Sequence, residues 1–167
     1  KIKEIEKIAR DHGLLRNVSK IRENSMACVA LPTCTLAMAE AERYLPDLLS
    51  KIEKLAINHG IEEQPITIRM TGCPNGCARP YLAEIAFVGK APGKYNLYLG
   101  GDGKGTRLVQ LYRENIDENQ ILNEIDSLFE IYSKERSKDE LFGDFLIRKN
   151  IIPAVYDGRD FKTGLSQ

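Results

Sequence analysis

The stretch from Arg69 to Gly101 reads RMTGCPNGCARPYLAEIAFVGKAPGKYNLYLGG. A cysteine-bearing turn is embedded there in strand-forming sequence. Just upstream, Ile66-Thr67-Ile68 is an alternating β-branched run that predicts a strand leading straight into Cys73. Downstream, Ala83 to Val88 and Tyr95 to Leu99 predict two more strands, joined by a turn over Gly89-Lys90-Ala91-Pro92-Gly93, and Leu108 to Tyr112 extends the sheet. Within the loop, Pro74 restricts the backbone directly after Cys73. Asn75-Gly76 favours positive φ, which would turn successive N–H groups inward toward sulfur.

Cys73 and Cys77 are half of the chain's cysteines; the other two, Cys28 and Cys34, lie in ACVALPTCT. A thiolate site needs sulfurs that converge within a few ångströms, and short loops bring each pair together with little loss of chain entropy. The spacings bear on what such a site would hold. Structural zinc usually takes C-x2-4-C knuckles; Cys73 to Cys77 fits that range, and Cys28 to Cys34 is wider than it. An iron–sulfur cube spreads its ligands further apart and tolerates the wider loop. Spacing leaves three alternatives open: structural zinc, plain buried cysteines, and disulfides, the last disfavoured because nothing in the chain suggests an oxidising compartment.

Around these loops the periodicity turns helical. Ile2, Ile5, Ile8 and Ala9 predict a helix over the first dozen residues with Gly13 as its C-cap. After an irregular segment at Pro32, a helix is expected from about Thr35. Leu45, Leu48, Leu49, Ile52, Leu55 and Ala56 form an apolar stripe ending at Gly60, with Pro46 marking a kink or a restart. Asp117 with Gln120 predicts a capped start for a helix carrying Ile121, Leu122, Ile125, Leu128, Phe129 and Tyr132, and a shorter helix follows over Leu141 to Arg148. The result is an α+β domain, α/β-like in its mixing, with one mixed sheet of about four or five strands flanked by helices.

Composition excludes several classes. At 167 residues and 43% hydrophobic, the chain supports one core and is short for two domains. No apolar run approaches the ~20 residues of a membrane span, and no signal-peptide pattern is present, so a soluble cytoplasmic protein with no membrane partner is expected. Lys plus Arg and Asp plus Glu balance at 24 each, which argues against nucleic-acid binding. The run Gly100-Gly101-Asp102-Gly103-Lys104-Gly105 lacks the Walker spacing and is expected to be a turn whose glycines relieve backbone crowding. His12 and His59 each precede a glycine at a helix end, where a partly charged imidazole suits the negative end of the dipole.

The residues around the cysteines go further than their spacing. RENSMACVALPTCTLAMAEAERYLPD (22–47), RMTGCPNGCARPYLAEIAFVGKAPGKYNLYLGG (69–101) and FGDFLIRK (142–149) closely resemble the C-terminal region of the assimilatory sulfite reductase hemoproteins. These are the siroheme and [4Fe–4S] subunits of NADPH-dependent sulfite reductases, related to nitrite reductases. The resemblance runs from about Lys1 to about Phe161. It implies a 4Fe–4S domain of the nitrite/sulfite reductase type over 26–167, preceded by a tail of the previous domain or a linker helix over 1–25. Carried across, Cys28, Cys34, Cys73 and Cys77 would ligate a [4Fe–4S] cluster, with Cys77 also bridging to the siroheme iron.

The implied function is six-electron reduction of sulfite to sulfide in sulfate assimilation and cysteine biosynthesis. Electrons would come from a flavoprotein subunit or a ferredoxin. Nitrite reduction, or a non-catalytic metal-binding role for the four cysteines, is the alternative. Asn75 resembles a family residue at the siroheme face, with Thr71 expected to hydrogen-bond nearby. Arg69 and Arg79 bracket the loop and are candidates to bind siroheme carboxylates; pairing with Glu84 or another surface acid is the alternative. Siroheme is rich in carboxylates and sulfite is an anion, yet the chain has no net positive charge. The resemblance accounts for this by placing the family's basic residues upstream. With Lys1 in place of an initiator methionine, the chain is expected to be a C-terminal fragment, inactive alone and lacking the upstream domains that complete the site.

Overall fold

A computed structural model describes residues 1–14 and 18–160; Phe161, at the far end of the resembling stretch, lies outside them. Five strands, β1 (Ser25–Ala27), β2 (Ile68–Thr71), β3 (Ile85–Ala91), β4 (Lys94–Leu99) and β5 (Gln110–Ile116), form one sheet in the order β1-β2-β3-β4-β5. The first three are parallel and the last three antiparallel, so the sheet is mixed as expected. The β3–β4 turn is tighter than the sequence suggested. Pairing continues to Ala91 opposite Lys94, with an irregularity between Gly89 and Ala91, and only Pro92-Gly93 turns the chain.

Parallel neighbours need a crossover of a dozen or more residues, usually a helix. Between β1 and β2 that role falls to α3 (Leu45–Asn58), which buries Leu45, Leu48, Leu49, Ile52 and Ala56. Pro46 sits in its first turn, where a missing N–H breaks no helical bond, so it starts the helix without kinking it. The helix expected from about Thr35 does not form. Residues 35–44 are turns, because their amides are committed elsewhere: Met38 and Ala39 N–H donate to the Gly72 carbonyl, and Glu42 N–H to that of Cys28. Between β2 and β3 no α-helix intervenes. The cysteine loop and a short 3-10 helix at Pro80–Leu82 make that crossover.

α4 (Glu118–Glu135) opens on the predicted capping box, Asp117 accepting from Gln120 N–H while the Gln120 side chain accepts from Asp117 N–H. Its buried Ile121, Ile125, Leu128, Phe129 and Tyr132 join the α3 stripe, the Phe142 and Phe145 side chains of α5 (Phe142–Arg148), and sheet residues Met70, Phe87 and Leu97 in the main core. Ala86, Val88, Tyr98 and Leu111 form a smaller cluster with Tyr81 packed against it. His12 and His59 do cap α1 (Ile2–Asp11) and α3, and His59 Nε2 lies 2.8 Å from Asp126 Oδ1 on α4.

The glycine-rich loop is a turn, as expected. Asp102 accepts from Lys104, Gly105 and Thr106 N–H, so the amides that could have cradled a phosphate are filled by the chain's own carboxylate. Crowding is real there: a Cβ on Gly101 would lie 2.3 Å from the Ala83 carbonyl oxygen, and one on Gly143 would lie 2.1 Å from that of Gly101. Glu84 is buried beside them, accepting from Thr67 N–H at 2.8 Å and Gly143 N–H at 2.9 Å.

α1 buries nothing; Ile2, Ile5 and Ile8 are 74%, 65% and 59% exposed. α2 (Lys20–Glu23), by contrast, places Ile21 in the core. It is held to α3 by a fork: Arg22 Nε donates to Glu53 Oε1 at 3.0 Å and Arg22 Nη2 to Oε2 at 2.5 Å, with the Ser19 hydroxyl donating to the same carboxylate. The Arg22 hydrogen bonds, helped by Ser19, hold the Glu53 carboxyl below its ordinary value. A carboxyl depressed on folding contributes stability above its unfolded pKa and loses it as pH falls through the folded value. Glu53→Gln is therefore expected to lower the urea midpoint at pH 7, with a stability loss of about 1 kcal/mol or less for a pair that keeps part of its solvent. Wild type and variant should converge below the ordinary glutamate range, and a gap that persists at pH 3 would rule the ion pair out as its origin.

Candidate functional site

Both cysteine pairs follow from the sheet. Cys28 is the residue after β1, and Cys73 comes two residues after β2, so the loops start from the carboxyl ends of adjacent parallel strands, ~4.8 Å apart. That edge is where open α/β sheets place their sites. The β1 ladder continues one step past the strand, with Cys28 N–H donating to the Met70 carbonyl at 3.1 Å.

Gly72 then ties the two loops together. Its N–H donates to Cys28 Sγ at 3.3 Å, and its carbonyl accepts from Met38 N–H at 2.8 Å and Ala39 N–H at 3.1 Å. The segment that follows the Cys28–Cys34 loop is thereby folded back over the residue that precedes Cys73. A turn at its start, with Ala30 at φ 49, a cis Leu31-Pro32 bond and Cys34 N–H donating to the Ala30 carbonyl at 2.7 Å, brings Cys34 round. The approach leaves no room for a side chain at Gly72. A Cβ there would meet the Ala30 Cβ and the Ala39 carbonyl oxygen, each at 2.6 Å.

The second loop is anchored from the sheet. Tyr81 packs edge-on against Tyr98, with centroids 5.7 Å apart, and donates its hydroxyl to the Pro74 carbonyl at 3.0 Å. Burial first, then Tyr98 and Cys73, push the Tyr81 phenol up to about 12, so it stays a donor throughout the neutral range. Gly76 takes positive φ as expected; Asn75 does not, since one left-handed residue is enough to reverse the chain toward Cys77. Cys73 is buried, Cys28 and Cys34 are half-buried, and Cys77 and Asn75 stand exposed at the rim. All four cysteines are free thiols.

Arg69 and Arg79 are together but not as an acid-paired couple. Arg69 Nη1 donates to the Arg79 carbonyl at 3.1 Å, and among the described residues neither guanidinium pairs with a carboxylate. Burial, with the Arg79 charge added, pulls the Arg69 pKa down from its ordinary value. Glu84, the alternative partner, is already committed to Thr67 and Gly143. Thr71, 1% exposed, has a hydroxyl with no hydrogen-bond partner among the described residues.

No family model matches the chain. Over 161 residues it is 63% identical to the sulfite reductase [NADPH] hemoprotein beta-component of Staphylococcus carnosus, covering 95% of this chain and 28% of that protein. To the protein of the same name from Shewanella loihica it is 60% identical over 160 residues, with the same two coverages. The structure of the Mycobacterium tuberculosis NirA protein superposes with a TM-score of 0.70 at 26% identity, over 88% of this chain and 29% of that one. The chain belongs to the sulfite reductase hemoprotein family. It spans a little over a quarter of the length of these curated relatives.

The donor set fits the iron–sulfur group that the family implies. Four free thiols lie on two loops tied at one glycine, and one sulfur already accepts an N–H of the kind that supports cluster thiolates. Among the described residues no three His, Cys, Asp or Glu side chains are gathered closely enough to hold a single metal ion. Gly72 and Tyr81 escaped the sequence reading. Gly72 has a visible signal, a glycine placed immediately before a ligand candidate; the tyrosine's anchoring role depends on tertiary packing.

The tie at Gly72 can be tested directly. Gly72→Ala must push Ala30 and Ala39 away, at about 1–3 kcal/mol for overpacking, and should separate the loops. Iron bound per chain after anaerobic reconstitution is expected to fall sharply in Gly72→Ala, while Gly158→Ala, where a Cβ meets nothing within 4 Å, leaves it unchanged.

Proposed function

We propose that this chain is the cluster-bearing part of a sulfite reductase, with Cys28, Cys34, Cys73 and Cys77 as the cluster ligands and Cys77 as the thiolate shared with siroheme. The observation that carries the reading is the convergence of both cysteine loops on Gly72, at the carboxyl ends of β1 and β2. When bound, the cluster and siroheme supply stored electrons and the iron at which sulfite is reduced by six electrons to sulfide.

The chain's own residues divide the remaining work. Cys73, buried, and Cys28, half-buried, would hold the cluster against the sheet; Cys77, exposed at the rim, would be the sulfur shared with a second iron. A soft thiolate bridges two iron centres better than an oxygen ligand does. Asn75 stands beside Cys77 on the outer face of the loop and would contact the macrocycle. Arg69 and Arg79, two guanidinium groups without carboxylate partners among the described residues, would bind siroheme carboxylates in bidentate fashion.

The rest of the site would come from outside these residues. Val29 in the first cysteine loop and Leu36 and Met38 just after it are 47%, 66% and 43% exposed, an apolar rim suited to a macrocycle or to another part of a longer chain. The exposed isoleucines of α1 fit the same reading, in which the leading segment of 1–25 packs against a preceding domain and 26–167 forms the siroheme and cluster domain. Electrons would come from a flavoprotein subunit or a ferredoxin, and the setting would be the cytoplasm. No helix among the described residues is long and apolar enough to cross a membrane.

Three measurements test the proposal. Full-length protein purified anaerobically should contain iron, acid-labile sulfide and siroheme; zinc, or no metal, would favour a structural domain built on the four cysteines. Cys77→Ser in that protein should abolish sulfite reduction while leaving its melting temperature within a few degrees, and wild-type turnover would refute the bridging role. The 167-residue chain by itself should form no sulfide from sulfite with a strong artificial reductant, because the basic cradle would lie elsewhere; measurable sulfide would overturn that part of the reading.

A further inference from the structure

Thr71 is the last residue of β2, opposite Val88 of β3, and its hydroxyl is the unexplained polar atom of the site. Burying a hydroxyl without a partner costs free energy, and buried hydroxyls are almost always bonded. Packing alone would favour valine, which fills the same space, prefers strands and brings no polar atom. The next amide along the chain, Gly72 N–H, already donates to Cys28 Sγ, and Cys73 follows. Register puts Thr71 on the same side of the sheet as Val88 and, two residues back, Arg69 beside Ala86. Val88 and Ala86 belong to the small cluster covered by Tyr81, whose hydroxyl pins the cysteine loop at Pro74.

We infer that the Thr71 hydroxyl donates a hydrogen bond to a sulfur of the cluster held by the four cysteines, either a cysteine thiolate or an inorganic sulfide, and thereby raises the cluster's reduction potential. The inference rests on the cluster reading above and adds a function for one residue within it. Hydrogen bonds to sulfur stabilise the more electron-rich reduced state, and they are among the main protein controls on iron–sulfur potentials. With the N–H of Gly72, Thr71 would make a pair of adjacent donors at the end of β2, one from the backbone and one from a side chain.

The test is a redox titration of the full-length protein followed by electron paramagnetic resonance, with iron and sulfide measured on the same samples. Thr71→Val is expected to retain the cluster and to reduce the ratio of reduced to oxidised cluster about fivefold at a fixed potential, ~40 mV at 59 mV per decade for one electron. Thr71→Ser, which keeps the hydroxyl, should stay near wild type. Loss of the cluster in the valine variant but not in the serine variant would also support the bond. An unchanged potential in Thr71→Val with full iron content would overturn it, as would equal loss of cluster in both variants, which would make the residue a packing element. If wild-type protein holds no iron and sulfide, the cluster reading falls and this inference falls with it; if the cluster is present and the potential does not move, only the role of Thr71 falls.

Discussion

The close approach of two backbones at Gly72 is the constraint on which the rest of the site depends. Its carbonyl takes the N–H groups of Met38 and Ala39, its N–H reaches Cys28 Sγ, and a Cβ there would sit 2.6 Å from two neighbours. Because the amides of residues 38, 39 and 42 are spent on strand-end partners, the segment before α3 cannot be helical. Because the chain turns at Ala30, Cys34 N–H reaches back to the Ala30 carbonyl and Cys34 stays half-buried. A residue with no side chain therefore ties together two loops that carry sulfur.

The topology adds a second economy. In most parallel sheets a helix makes each crossover and the site is added on top. Here the connection between β2 and β3 is itself the cysteine loop, closed by the Pro80–Leu82 turn and by Tyr81 on Tyr98. The sheet face beneath that turn is covered by a few small and aromatic side chains, while the bulk of the apolar burial lies on the other face with α3 and α4.

Much of this was legible in the sequence. The strands on both sides of TGCPNGC, the α3 stripe, the Asp117–Gln120 cap and the helix-ending histidines all rest on local periodicity or local hydrogen bonding, and those signals carry through to the fold. What the sequence hid is non-local. β1 is three residues long and too short for a period to show; Pro46 reads equally as a kink or a start until the preceding residues are seen to be turns. The pairing of Arg69 with the Arg79 carbonyl, in place of Glu84, depends on the buried glutamate being claimed by two amides from distant segments. The four cysteines were visible at once, whereas the contact that ties their loops together was not, because a glycine's close approach leaves only an absence in the sequence.

The anchoring of the second loop also bears on which sulfur faces the solvent. The bonds that hold it, from Tyr81 to Pro74 and from Gly72 to the first loop, run between protein atoms alone. That arrangement leaves Cys77, the one exposed thiol of the four, as the first sulfur that an oxidant in the surrounding solvent would find.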